Sequence, residues 1–186
     1  ENLLFDYSKN LVTHDTMDRL FDLASICQLE DWRARMFEGE AINTTENRSV
    51  LHTALRSYKD KTIHVDGEDI VPGIVETLDR MRDFSDTVRE EERFTHIVNI
   101  GIGGSDLGTS MAYQALKPFS NRDITLHFVS NVDASNLTEV LHEIDAENTL
   151  FIITSKTFTT QETMTNAESA RAWMKRVLGK DDVSEH

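Results

Sequence analysis

A chain of 186 residues with 39% hydrophobic and 28% charged residues is an ordinary globular mixture, able to bury a core and too apolar for disorder. Its formal charge of −14 argues against nucleic acid or an acidic membrane surface as partner, because either would meet a repulsive field. A phosphorylated ligand must then be held by local dipoles and a few cations. The lone Cys27, the lack of a secretory start and the lack of any run near ~18 apolar residues point to a reducing cytoplasm and away from a membrane. The sequence begins at Glu1 rather than Met and stops at His186 just after a helical pattern, so it reads as a piece of something longer.

From the start to about residue 90 the pattern is helical and largely polar. Leu20, Leu23, Ala24 and Cys27 share one helical stripe, and Trp32, Met36 and Phe37 begin a second that Gly39 can end. Asn43 has capping spacing to Glu46, which predicts a third helix along Val50, Leu51, Ala54, Leu55 and Tyr58. Thr62 to Ile70 alternates around Asp66-Gly67 as a small hairpin would, and Pro72 opens a helix along Ile74, Val75, Leu78 and Met81. The acidic run Arg89-Glu-Glu-Glu-Arg93 reads as a solvated connector. It divides a helical N-terminal region with a small hairpin, residues 1–93, from an α/β region, residues 94–186.

Beyond the connector the rhythm is strand, helix, three times over. Ile97 to Ile102 and Leu150 to Ile153 are short, nearly continuous apolar runs of the kind a strand buried on both faces requires, and Ile124 to Val129 mixes β-branched and aromatic residues between them. Helices on Leu107 to Leu116, Leu137 to Ile144 and Met164 to Leu178 supply the crossovers of a parallel sheet. Ligands in such sheets bind beyond the carboxyl ends of the strands.

Two turns occupy that edge. Asn99-Ile-Gly-Ile-Gly-Gly-Ser105-Asp-Leu-Gly108 begins like a dinucleotide fingerprint, but Asp106 stands where the third glycine should be, and its carboxylate repels a pyrophosphate. Gly103 and Gly108 have P-loop spacing, yet Thr109 replaces the lysine that would neutralise β and γ phosphates. What remains is a glycine turn allowing close backbone approach, with Ser105 as a hydroxyl donor, which suits a monophosphate. The second turn concentrates Ser155, Thr157, Thr159 and Thr160 around the cation Lys156, and Thr159 and Glu162 have capping-box spacing. An isolated Ser/Thr turn is usually a helix cap; a matched glycine-serine turn one βαβαβ step earlier favours two helix N-termini closing on one anion. The seven histidines are dispersed and no Cys/His ligand spacing occurs, so no metal site is expected; no cofactor is expected either.

These residues also carry a resemblance. Val98 to Gly108, Ser155 to Ala167, Glu46-Asn-Arg-Ser-Val-Leu-His-Thr-Ala-Leu-Arg56 and His127 to Asp133 closely resemble signature stretches of the phosphoglucose isomerase family, in the family's order and from about Asp6 to the end. The resemblance implies a three-layer parallel sheet of the sugar isomerase (SIS), flavodoxin-like type, cut short and preceded by a helical region. It implies that Gly104, Ser105, Ser155, Lys156, Thr157 and Thr160 hold the phosphate of glucose 6-phosphate or fructose 6-phosphate. Glu162 matches a family carboxylate beside the ring-opening histidine, where it would orient that base; its other reading is a capping-box partner. His52 is expected packed on its helix, Arg48 and Arg56 solvated or paired, and Asp106 and Asp133 as helix caps.

The family reaction, part of glycolysis and gluconeogenesis, opens the sugar ring and moves a proton between C2 and C1 through an enediol, with the phosphate as a remote handle. The family's glutamate base, ring-opening histidine, lysine and arginine have no match in these residues, so the piece is expected to bind a sugar phosphate and turn none over. The family also implies a homodimer for the full-length protein. A non-catalytic SIS module that senses a sugar phosphate is the alternative.

Overall fold

The computed structural model describes residues 4–57, 60–184 and 186. It divides into two compact units, Glu1–Asp83 and Phe84–His186, with the dividing point inside a long helix.

The first unit opens with α1, His14–Ile26, and α2, Leu29–Phe37. Thr13 caps α1 in a reciprocal box with Thr16, each side-chain oxygen receiving the other residue's amide. Gly39, at φ 84°, ends α2 as its position after an apolar stripe predicts. The expected third helix does not form: only a 3-10 turn, Ala54–Arg56, stands there. Asn43 and Arg48 exchange backbone bonds, and Asn47 between them adopts φ 50°, so the chain folds back where a first helical turn would have to run. The Asn43 side chain still accepts the Glu46 amide, but it closes this turn instead of capping a helix. Tyr58 lies outside the described residues.

The hairpin is present as β1, His64–Val65, and β2, Glu68–Asp69, joined by Asp66 and Gly67, both at positive φ. One oxygen of Asp69 accepts the amides of Ile63 and Val71 and so ties the hairpin to the start of α3, Val71–Glu90. Ala54, Ile63 and Val71 form the small core of this unit. Helix α3 runs through Arg89 and Glu90, so only Glu91 to Arg93 remain as connector. Arg93 is not solvated as expected: it is half-buried, with its guanidinium 4.8 Å from the Phe94 ring centre.

The second unit follows the predicted order. Strands β3, His96–Ile100, β4, Thr125–Val129, and β5, Thr149–Ile153, form one parallel sheet in the order β4-β3-β5. Helices α4, Gly104–Leu116, α5, Ala134–Glu143, and α6, Gln161–Leu178, alternate with them. Strand alternation sends neighbouring residues to opposite faces. Phe128 meets Tyr113 of α4 on one face, while Val98, Ile100 and Val129 pack with Leu137 and Val140 of α5 and Ala170 of α6 on the other. The result is three layers with the central strand at 0% exposure for both Val98 and Ile100.

At the amino end of the sheet His96 Nδ1 lies 3.1 Å from His127 Nε2, and Glu143 stands 3.6 Å from the other His127 nitrogen. Burial holds the His127 pKa below its usual value, reinforced by His96 and opposed by Glu143. No helix among the described residues is long and apolar enough to cross a membrane.

Candidate functional site

The candidate site lies at the opposite, carboxyl edge, where β3 and β5 end in register. Ile100 pairs with Ile153, so the two predicted turns leave adjacent strands side by side. The Thr154 amide donates to Ile100 O at 2.8 Å and continues the ladder one residue into the second turn.

Each turn opens a helix. In the first, Gly103 is the N-cap of α4 at φ 59°, a backbone state that strains any residue with a Cβ. Ser105 donates its amide to Ile102 O, and Asp106 and Leu107 both donate to Gly103 O, which leaves the amides of Gly103 and Gly104 ahead of the closed bonds. Gly101 is required sterically: a Cβ there would stand 2.8 Å from Ser105 O. Gly104 is exposed and Ser105 half-buried at this helix start.

In the second turn the N-cap of α6 is Thr160, whose side chain makes no cap bond. The capping box expected between Thr159 and Glu162 is absent among the described residues, because the N-cap falls one residue later at Thr160, and Thr159 Oγ1 bonds Thr157 Oγ1 at 2.6 Å. Glu162 is left exposed in the first turn of α6. Met164 donates the first helical bond, to Thr160 O, so the amides of Gln161 to Thr163 point out of the helix end. Ser155 Oγ accepts the Phe158 amide and keeps its proton to donate elsewhere. Lys156 is exposed and has no ion pair among the described residues. All six residues expected to hold phosphate thus sit on these two turns at one sheet edge.

The other expectations divide. Asp133 is the N-cap of α5 and accepts from Ser135, whose hydroxyl and amide hold its pKa down. Asp106 is not a cap: it lies in the first turn of α4, 8% exposed, with Oδ1 buried and unpartnered among the described residues. His52, expected to pack on a helix, is exposed in a turn because that helix does not form. Arg48 pairs with Glu46, and Arg56 reaches the His52 carbonyl. Those three residues belong to the first unit.

Sequence reasoning passed over the asparagines that brace this edge. Asn99, 5% exposed on β3, accepts from Thr154 Oγ1 at 2.7 Å and donates to Ser105 O at 3.4 Å. Asn136 accepts the amides of Ser130 and Asn131 after β4, and Asn166 of α6 donates to Asn131 O. The available signal was an amide inside the apolar run Ile97 to Ile100, since a buried polar group in a strand needs partners.

An open parallel sheet with two helix-opening turns side by side at its carboxyl edge defines an α/β protein of the kind that takes small ligands there. The model of the family described as phosphoglucose isomerase matches residues 6–186, and the chain belongs to that family. Glucose-6-phosphate isomerase of Deinococcus radiodurans is 54% identical over 189 residues, 98% of this chain and 35% of the relative. The protein of that name from Methylococcus capsulatus is 49% identical and covers all of the chain and 35% of itself. The crystal structure of a glucose-6-phosphate isomerase from Chlamydia trachomatis superimposes with a TM-score of 0.79 at 33% identity, over 94% of this chain and 34% of that one. The chain therefore spans about a third of the length of the curated relatives it matches.

Proposed function

We propose that the two turns hold the phosphate of glucose 6-phosphate or fructose 6-phosphate, and that the whole protein interconverts these sugars. The observation that carries the reading is the Ile100–Ile153 register, which sets two sets of outward-pointing helix amides on neighbouring strands. Gly104 supplies a backbone amide and Ser105 a hydroxyl from one side. Ser155, Thr157 and Thr160 supply hydroxyls from the other, and Lys156 supplies the charge that an otherwise acidic chain must concentrate locally.

Held by its phosphate, the sugar is oriented towards groups that open the ring and shuttle the C1–C2 proton. Glu162, free of the capping role and exposed in the first turn of α6, is assigned to orient the ring-opening base. The family's principal acid and base residues have no match here, so this chain binds without turnover. Residues 94–186 are read as the front of an SIS-type sheet, cut short, and 1–93 as the helical region that precedes it. The full-length protein is read as a cytoplasmic homodimer of glycolysis and gluconeogenesis.

Calorimetric titration of the chain with glucose 6-phosphate, ATP and NAD tests the reading. Glucose 6-phosphate is expected to bind and the nucleotides not, with no isomerase activity in a coupled assay. Tighter binding of ATP or NAD would replace the sugar-phosphate site with a nucleotide site, and measurable turnover would overturn the assignment of this chain as non-catalytic.

A further inference from the structure

The two turns need a fixed spacing if they are to close on one anion, and one side chain touches both. We propose that Asn99 is a positioning residue that sets the distance between the turns, a role that rests on the phosphate reading above.

The geometry assigns each end of its amide. Ser105 O only accepts, so Nδ2 must face it, and Oδ1 is left to accept the Thr154 hydroxyl. A single amide at 5% exposure, rooted in the central strand, therefore spends its donor on the first turn and its acceptor on the second. Gly101 permits this closure, because the Ser105 carbonyl that Asn99 holds packs against the bare Gly101 Cα. The Thr154 arm is short at 2.7 Å and the Ser105 arm long at 3.4 Å. The long arm has room to tighten when an anion draws the first turn's amides towards it.

No other standard side chain of this size does both jobs. Asn99→Asp keeps an acceptor for Thr154 but sets a carboxylate oxygen against the Ser105 carbonyl. Asn99→Leu keeps the volume and loses both arms. Thr154→Val cuts only the short arm, and Thr154→Ser restores it.

The test uses amide NMR on the isotope-labelled chain, first without ligand. Hydrogen exchange at the bonded amides of Ser105 and Thr154 is expected to quicken together in Asn99→Leu, by about tenfold, the factor that corresponds to ~1.4 kcal/mol and to one lost hydrogen bond. In Thr154→Val only the second turn should respond, and Thr154→Ser should match the unmodified chain. An Asn99→Leu change confined to one turn, or absent from both, would overturn the clamp; if that variant does not fold, Asn99→Asp is read at Ser105 alone, where unchanged exchange would overturn it equally.

Titration with inorganic phosphate and with glucose 6-phosphate follows. In the unmodified chain the amides of Gly104 and Gln161 should move with one common Kd. In Asn99→Leu and Asn99→Asp they are expected to separate into two responses, each weaker by about tenfold. If neither ligand moves either turn of the unmodified chain, the phosphate reading fails, while the exchange rates still decide whether Asn99 couples the turns. One common Kd retained in Asn99→Leu would show that the spacing is set elsewhere.

Discussion

Helix α1 carries Leu20, Phe21, Leu23 and Ile26, all from 48 to 79% exposed, whereas the shorter α5 buries Leu137 and Val140 against the parallel sheet. Both helices have clear apolar stripes and side-chain caps, Thr13 for one and Asp133 for the other. The difference is the partner within the unit. A helix stripe becomes core only where a complementary face is presented to it. The sheet of the second unit offers one on each side, while the first unit gathers its core around the hairpin and the start of α3.

The sharpest way to break this comparison is to truncate one side chain in each unit. Ile100→Ala, at a position with 0% exposure, is expected to cost about 2–5 kcal/mol, while Leu23→Ala on the exposed stripe of α1 stays within ~0.5 kcal/mol. Urea denaturation of both variants measures it, and equal losses would mean that the two side chains are equally buried. Gly101→Ala should cost about 1–3 kcal/mol, because its Cβ would meet the Ser105 carbonyl at 2.8 Å and displace the first turn. Here the telling result is local: amide shifts should concentrate at Gly101 to Asp106, and a stable variant with an unmoved turn contradicts the close approach.

The smallest expected effect is a pH slope. Burial, reinforced by His96 and opposed by Glu143, holds the folded His127 pKa below the usual 6.5. The unfolded chain then takes up the proton first as pH falls, and stability present above 6.5 declines below it. His127→Gln should flatten that part of a melting-temperature profile; an unchanged slope would remove His127 as its source.

Much of the second unit was legible because its signals are local. Short apolar and β-branched runs alternating with helical periods leave few topologies besides a parallel sheet, although of the three strands only the central one is buried as such a run predicts, since Ile152 of β5 stays exposed. Both turns are legible for the same reason, since glycine and hydroxyl residues at strand-to-helix junctions have a direct backbone meaning. The third helix does not form although its periodicity predicts one, because the left-handed backbone of Asn47 bends the chain back ahead of it. The capping box does not form because the helix starts one residue later than its spacing requires, with Thr160 as the N-cap, while Thr159 bonds Thr157.

By itself the sequence determined the α/β rhythm, the carboxyl-edge turns, and a family whose relatives extend well beyond this chain. Only the tertiary structure decided that β3 and β5 are neighbours in register and that Asn99 reaches both turns. Strand pairing and the partners of a buried amide depend on which surfaces meet across long sequence separations, and no window of local pattern contains that distance.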